Sequence, residues 1–199
     1  MKLCRFNLTY WLLPIAFLFI SCTRSKQESA VRGGPNQDYL ASSGLTVTTD
    51  LTGWDCMIEP RAWADRNCRI SETQKVCYET ITAGLERAFK KMPPYQNSRF
   101  IGLRDQKKNL HALASYRLEK PDHVVLDFLV SRPPGTGVEK IKDSGAMLIC
   151  ETMKMNSGVY SMSLEAANKE LIAHYKTRGF RTTKGYEMRV TREGLNCRF

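Results

Sequence analysis

Residue patterns that mark metal and nucleic-acid sites are scarce in this sequence of 199 residues. The three histidines, His111, His123 and His174, lie far apart, and no two of the seven cysteines form a C-x-x-C pair. Structural zinc sites use closely spaced Cys and His ligands, so no metal site is expected. There is also no compact Lys/Arg run with interleaved aromatic residues, so nucleic acid is not an expected partner. No internal repeat is present, which excludes repeat architectures.

Long apolar segments are lacking too, except near the N-terminus. The run Leu8–Ser21 contains no charged residue, follows Lys2 and Arg5, and is interrupted by Pro14. At about 14 residues it is shorter than the roughly 20 residues that a membrane-spanning helix requires. We therefore expect a cleaved export signal over residues 1–22 rather than a stable transmembrane helix.

The predicted export segment ends in the residues FISC, from Phe19 to Cys22, which resemble the bacterial lipobox. In that motif the cysteine carries acyl chains such as palmitate, which would anchor Cys22 in a bacterial membrane, at the outer membrane or the periplasmic face. Phe19 stands where lipoboxes usually have Leu, so an ordinary secretory signal and an uncleaved anchor remain alternatives. Residues 23–43 are polar and lack periodicity, which is typical of a flexible tether, and the folded domain is expected over residues 44–199.

The charge and the remaining cysteines bear on ligands and on the compartment. Without Lys2 and Arg5 the formal net charge of +10 falls to about +8, an excess that favours anionic ligands or anionic lipid head groups. In an oxidising compartment one or two disulfides are expected, and buried free thiols are the alternative. The sequence does not determine the pairing among the five cysteines after the lipobox, which are Cys56, Cys68, Cys77, Cys150 and Cys197.

Hydrophobic periodicity predicts a mixed α/β domain, because alternating segments favour strands and spacing near 3.6 residues favours helices. In chain order the predicted elements are a strand at 45–50, helical turns at 54–63, a helix from the capping box at Ser71 to Phe89, strands at 98–103, 110–118 and 123–131, a helix from Gly137 to about Asn156, a strand at 159–166, a helix at 167–180 and a strand at 185–190. Two strands joined by a helix should be parallel through a right-handed crossover, whereas short turns predict antiparallel neighbours elsewhere.

Two motifs stand at the ends of the predicted parallel strands. Residues 132–137 spell R-x-x-G-x-G between a strand and a helix, and one strand later the segment ANKELIAHYKTRGF contains Asn168 and Tyr175. With both motifs in this order, Gly44–Phe199 resembles the GNAT superfamily of acyl-CoA N-acyltransferases. The resemblance implies an α+β fold with a central, mostly antiparallel, twisted sheet of six to seven strands and helices on both faces.

The resemblance also implies binding of acetyl-CoA as the acyl donor, without a metal. The backbone N–H groups of Gly135, Thr136, Gly137 and Val138 would hold its pyrophosphate, because glycines allow close approach and a helix N-terminus favours negative charge. Arg132 would lie beside them. The intervening Pro133 and Pro134 lack N–H groups, which departs from the usual pattern.

In such a fold a bulge in the strand at Phe128–Val130 would separate it from the strand at Met162–Leu164. The pantetheine arm would enter between the two strands, and a backbone N–H near Leu129 or Val130 would polarise the thioester carbonyl.

Resemblance assigns Tyr175 as the general acid that protonates the departing thiolate and as a cofactor contact, and Asn168 as a second cofactor contact. For the general base, Asp127 and Glu165 are candidates, and deprotonation through water is an alternative. The sequence thus predicts an acetyl-CoA-dependent N-acetyltransferase that acts on a small-molecule or peptide amine. The alternative is a membrane-anchored lipoprotein that keeps the fold as a binding module without catalysis, because acetyl-CoA is cytoplasmic and the N-terminus favours export.

Overall fold

A computed structural model describes residues 39–40, 43–65 and 72–199. The predictions for the export segment, for lipidation of Cys22 and for Cys68 lie outside the described residues. Within these ranges no helix has the length and apolar character needed to cross a membrane. No cluster of three or more His, Cys, Asp or Glu side chains in the described ranges is arranged to hold a metal ion.

The strands are β1 (Thr46–Thr48), β2 (Arg99–Arg104), β3 (Leu110–Lys120), β4 (His123–Ser131), β5 (Ser161–Glu165), β6 (Arg181–Lys184) and β7 (Glu187–Thr191). A π-helical turn at Trp54–Ile58 leads into the helices α1 (Glu59–Asp65), α2 (Glu72–Phe89), α3 (Ser144–Met155) and α4 (Lys169–Thr177). The described strands form one sheet in the order β1-β2-β3-β4-β5-β7-β6. β4 and β5 are parallel, and the other neighbours are antiparallel.

The sheet is covered on both faces, as the predicted fold class requires. On the α1/α2 face the core contains Trp63 of α1, Leu85 of α2 and Phe128 of β4. On the α3/α4 face it contains Leu148 of α3 and Tyr175 of α4. The mixed, mostly antiparallel sheet with helices on both faces is therefore confirmed.

Two details of the strand prediction were wrong. β6 was not predicted, because all four of its residues are exposed and no apolar alternation marks it. In β3 the alternation from Leu110 to Leu118 does not define one face, because the register between β2 and β3 skips His111. As a result Leu110 packs on the α1/α2 face and Ala112 on the α3/α4 face.

The C-terminal segment is fastened to the α3/α4 side of the domain. A disulfide joins Cys150 of α3 to Cys197, and Cys56 is a buried free thiol. Burial raises the pKa of the Cys56 thiol to about 12, so it stays protonated. Tyr39, which lies within the predicted tether, has its ring 6.2 Å from that of Phe199, so the last part of that segment packs on the domain.

Candidate functional site

The parallel pair β4 and β5 separates soon after it forms. Within the described residues, register pairs join His123–Val125 to Ser161–Ser163 and stop there, although both strands continue. Backbone groups on the facing edges of the later segments therefore have no partner in this ladder. We call the space between Leu126–Ser131 and Leu164–Glu165 the β4–β5 gap.

A β-bulge accompanies the separation. Ser115 of β3 lies opposite Phe128, but the next residue of β3 lies opposite Leu126, so Asp127 is an extra residue in β4. A bulge bends its strand and increases its twist, which directs β4 away from β5. The bulge expected at Phe128–Val130 thus lies one residue earlier, at a buried carboxyl group.

Apolar side chains of the core lie beside the β4–β5 gap on the α3/α4 face. Leu129 of β4 shares a buried cluster with Met147 of α3 and with Leu171 and Tyr175 of α4. Val130 packs on the opposite face, against α1 and α2. The two residues predicted to polarise a carbonyl group thus direct their side chains to different faces, and both have their backbone along the gap.

The two residues of the second motif lie at opposite ends of α4. Asn168 is the N-cap rather than a helical residue, and its side-chain oxygen accepts a hydrogen bond from Leu171 N–H at 2.9 Å. Tyr175 is 2% exposed, and its ring packs against those of His174 and Phe180. Burial raises the pKa of Tyr175 well above its usual value, so the phenol holds its proton at physiological pH.

Arg132 lies beside the loop residue Thr136, with Nη1 3.5 Å from Thr136 Oγ1, and its other side-chain contacts lie elsewhere. Its Nε donates to the Leu110 carbonyl at 2.6 Å, its Nη2 pairs with Glu59 of α1, and its guanidinium lies 5.0 Å from the ring centre of Trp63. The side chain is 3% exposed. Because Glu59 and Trp63 belong to the α1/α2 side of the sheet, Arg132 fastens α1 to the end of β4 and points away from α3.

The helix expected to begin at Gly137 begins at Ser144. Asp143 precedes it with φ of 57°, a left-handed conformation that interrupts the helical spacing of Val138 and Ile141. The predicted phosphate-binding residues therefore lie in a loop, not at a helix N-terminus. Gly135 and Thr136 lie in the first half of this loop, and the Thr136 side chain is buried. Gly137 and Val138 line a cavity of about 660 Å³ beside the β2–β3 turn, away from the β4–β5 gap.

The N-terminus of α3 lies directly behind β4. Met147 N–H donates to the Asp143 carbonyl, so the amides of Ser144, Gly145 and Ala146 precede the first intrahelical bond. A Cβ atom on Gly145 would lie 2.8 Å from Ser131 Oγ and 3.3 Å from Leu129 Cδ2. Only glycine allows this approach of the helix to the end of β4. The run Asp143-Ser144-Gly145, three residue types that favour turns and helix starts, was an indication of this turn that the sequence analysis did not use.

A cavity of about 600 Å³ opens on the other face of the sheet, where β4 and β5 separate. We call it the sheet cavity. Its lining comes from β3, β4, β5 and the β6–β7 hairpin and consists of Arg117, Glu119, Lys120, His123, Val125, Ser163, Leu164, Glu165, Lys184, Gly185, Tyr186, Glu187 and Arg189. Leu164 and Glu165 lie beyond the last β4–β5 register pair, so the cavity reaches the β4–β5 gap.

The two predicted base candidates lie at different depths near this cavity. Glu165 lines it and is partly buried; burial, with Glu187 nearby, raises the pKa of Glu165. Asp127 is fully buried behind the lining, and burial raises its pKa to about 7 despite the opposing charge of Arg117. Arg117 Nε lies 3.2 Å from Asp127 Oδ1, yet neither carboxylate oxygen makes a hydrogen bond within the described residues.

The floor of the sheet cavity is a buried hydrogen-bond network centred on His123. Its Nδ1 lies 2.8 Å from Ser161 Oγ and its Nε2 lies 2.9 Å from Ser163 Oγ. Arg189 Nη2 donates to Ser161 Oγ at 2.9 Å. Burial and then Arg189 lower the pKa of His123, so the ring is neutral near pH 7. Sequence analysis did not select these residues, although Ser161 and Ser163 alternate with apolar neighbours in β5.

Comparison with known proteins addresses the fold. No protein-family model and no curated protein sequence matches the chain. Among solved structures, a chimera of the spermidine N-acetyltransferase SpeG from Vibrio cholerae and hSSAT aligns with a TM-score of 0.50 and 17% identity, covering 76% of this chain and 97% of that chain. A mutant AtaT toxin bound to the C-terminus of the antitoxin AtaR aligns with a TM-score of 0.50 and 15% identity, covering 75% and 94%. The chain has the GNAT fold.

A third structure, the PaiA N-acetyltransferase from Thermoplasma acidophilum in complex with coenzyme A, aligns with a TM-score of 0.48 and 17% identity over 74% of this chain and 98% of that chain. Within this chain, the GNAT fold is recognised by the parallel β4–β5 pair, the gap that follows it and the helix α3 that crosses behind β4.

Proposed function

We propose that this chain is an acetyl-CoA-dependent N-acetyltransferase. The observation that carries the proposal is the early end of the β4–β5 ladder, after Val125 and Ser163. It leaves main-chain hydrogen-bonding groups along Leu126–Ser131 for the amides of a pantetheine arm. The same gap adjoins the sheet cavity, so an acyl group held in the gap faces a place where an amine can bind.

The residues around the gap fit such a donor in two respects. The N-terminal amides of α3, at Ser144, Gly145 and Ala146, offer N–H groups and a positive helix end to a pyrophosphate. The backbone near Leu129 and Val130 offers an N–H to the thioester oxygen. Arg132 does not take part, because Glu59 and Trp63 hold it on the other face.

In the proposed reaction Glu165 accepts a proton from the acceptor ammonium, and the free amine attacks the thioester carbon. A new N–C bond forms, and the C–S bond breaks with its electron pair on sulfur. Tyr175 donates its phenolic proton to the departing thiolate, and the proton that the acylated nitrogen then loses restores the phenol. Its raised pKa keeps that proton available, and the raised pKa of Glu165 strengthens it as a base. Asp127 does not line the cavity, so we assign it to positioning the bulge rather than to proton transfer.

The first test is a binding measurement. Titration of the chain with acetyl-CoA in a calorimeter should give saturable heat, and Gly145→Ala should weaken the affinity because the added methyl displaces α3 from β4. No heat at millimolar donor would refute the enzyme and leave the alternative of a GNAT-like binding module.

A kinetic test addresses Tyr175. Tyr175→Phe should lower kcat by about 100-fold with little change in donor affinity, because the phenol acts only on the leaving group. Tyr160→Phe is the matched control, since Tyr160 is 54% exposed and outside the gap. Equal rates for the two variants would remove Tyr175 from the mechanism.

We also propose that the chain works outside the cytoplasm, attached to a membrane through Cys22. The disulfide between Cys150 and Cys197 supports an oxidising compartment. Labelling of the full chain with a palmitate analogue should mark the protein, and Cys22→Ser should abolish the label. Labelling that persists in Cys22→Ser would contradict the anchor. An exported enzyme must receive its acyl donor outside the cytoplasm. Labelling at Cys22 would therefore place the required acyl donor in that compartment.

A further inference from the structure

Charges of both signs line the sheet cavity, and two carboxylates lie together at one end. Glu165 and Glu187 lie directly opposite each other on β5 and β7, at the end of the cavity nearest the β4–β5 gap. Arg189 lies opposite Ser163, two residues after Glu187 in β7. The backbone positions of Glu187 and Arg189 are about 6.8 Å apart, and the Arg189 guanidinium extends farther, to Ser161, so it faces the same cavity as the carboxylate pair at more than that separation.

These charges do not neutralise one another. No ion pair among the described residues includes Glu165, Glu187 or Arg189. Two carboxylates directly opposite on neighbouring strands repel, which destabilises the pair. An ammonium group between Glu165 and Glu187 would remove that repulsion at the point where an attacking amine must lie.

The position of Arg189 is set by the buried floor. Its Nη2 donates to Ser161 Oγ, which in turn contacts His123, and both of these residues are buried. The other N–H groups of the guanidinium remain for a ligand, because the residue is exposed. Lys120 also lines the cavity and Lys184 lies opposite Glu187, so the Arg189 guanidinium is the group that favours an anion and repels a second cation at this end.

Building on the proposed function, we infer that the acceptor is a zwitterionic primary amine, with an anionic group a few bonds from its nitrogen. The ammonium lies between Glu165 and Glu187, and the anionic group pairs with Arg189. An amine with a neutral tail loses the second contact, and a diamine places its second ammonium against Arg189.

Three amines with the same four-carbon backbone separate these cases: 4-aminobutyrate, n-butylamine and 1,4-diaminobutane. With the full chain and acetyl-CoA, kcat/KM for 4-aminobutyrate should exceed that for either other amine by about 10- to 100-fold, the range for a hydrogen bond to a charged group. Product masses identify the acetylated amine.

Substitution of the guanidinium tests the assignment. Arg189→Gln should reduce the preference for 4-aminobutyrate over n-butylamine towards a ratio of one. Arg99→Gln is the matched control, because it removes one exposed positive charge from the same sheet, outside the cavity, and should keep the preference. A preference that is equal in the two variants overturns the role of Arg189.

These experiments distinguish failure of the zwitterionic-acceptor inference from failure of the proposed acetyltransferase function. Equal transfer to all three amines, or fastest transfer to the diamine, overturns the inference and keeps the acetyltransferase. If no amine is acetylated, calorimetric binding of the three amines still tests the cavity: tighter binding of 4-aminobutyrate that Arg189→Gln removes supports it, and equal binding refutes it.

Discussion

At the scale of single residues, Asp127 is a buried carboxyl group near the site that carries an electrostatic cost. Its carboxyl group is fully buried at the bulge of β4, neither oxygen makes a hydrogen bond within the described residues, and Arg117 lies close without hydrogen-bonding geometry. Burial of a charged carboxylate is unfavourable, so its pKa rises to about 7. Near neutral pH the group is therefore close to half protonated.

This pKa predicts a pH dependence of stability. Between about pH 4 and pH 7 folded Asp127 holds a proton that the unfolded chain has lost, so the free energy of unfolding falls as pH rises. The shift from 3.8 to about 7 corresponds to at most roughly 4 kcal/mol. Asp127→Asn should flatten this slope in urea unfolding measured from pH 4.5 to 7.5. Parallel profiles for the two proteins would contradict the assignment.

At the scale of elements, the contact between α3 and β4 is set by one glycine. Gly145 brings the first turn of α3 against the side chains of Ser131 and Leu129, at distances that leave no space for a methyl group. The helix amides therefore reach the open end of the β4–β5 gap only if this position is glycine.

Gly145→Ala should lower the free energy of unfolding by about 1–3 kcal/mol, the usual cost of overpacking. Gly158→Ala is the matched control, because a Cβ there would meet nothing within 4 Å and its φ is not positive. Denaturant unfolding of the two variants measures the difference. If both variants lose the same stability, the close approach of α3 to β4 is not the reason for glycine at position 145.

At the scale of the whole molecule, the C-terminal segment ties two helices together. Cys197 is bonded to Cys150 of α3, and Asn196 N–H donates to the Arg178 carbonyl just after α4. Arg178 in turn pairs with Asp143 at 3.1 Å, before α3. The end of the chain thus holds together the helices that border the β4–β5 gap.

Cutting this link should destabilise the domain. The disulfide closes a loop with a sequence separation of 47, for which chain entropy predicts a contribution of about 4 kcal/mol, with 2–4 kcal/mol typical of measured cases. Cys197→Ala should lose that amount in urea unfolding, and a reductant should lower the stability of the natural protein to the same value. A reductant effect that persists in Cys197→Ala would have to come from another disulfide.

Much of the fold followed from local pattern. Val124 and Leu126 with their neighbours form a nearly continuous apolar run, which predicted the strand at 123–131, and β4 spans those residues at the centre of the sheet. Gly179 after a periodic segment predicted the end of α4, and its φ of 91° explains the glycine. The start of α3 was wrong, because Val138 and Ile141 continue the helical spacing through a loop that Asp143 interrupts.

By itself the amino-acid sequence determined the order of most strands and helices, the crossover that makes β4 and β5 parallel and the resemblance to the GNAT fold, because periodicity and turn residues act over a few positions. Only the tertiary structure decided where the ladder ends, which face receives Arg132, how Cys150 pairs and which charges share the sheet cavity. These depend on register and packing between segments far apart in the chain, and local spacing carries no information about such distances.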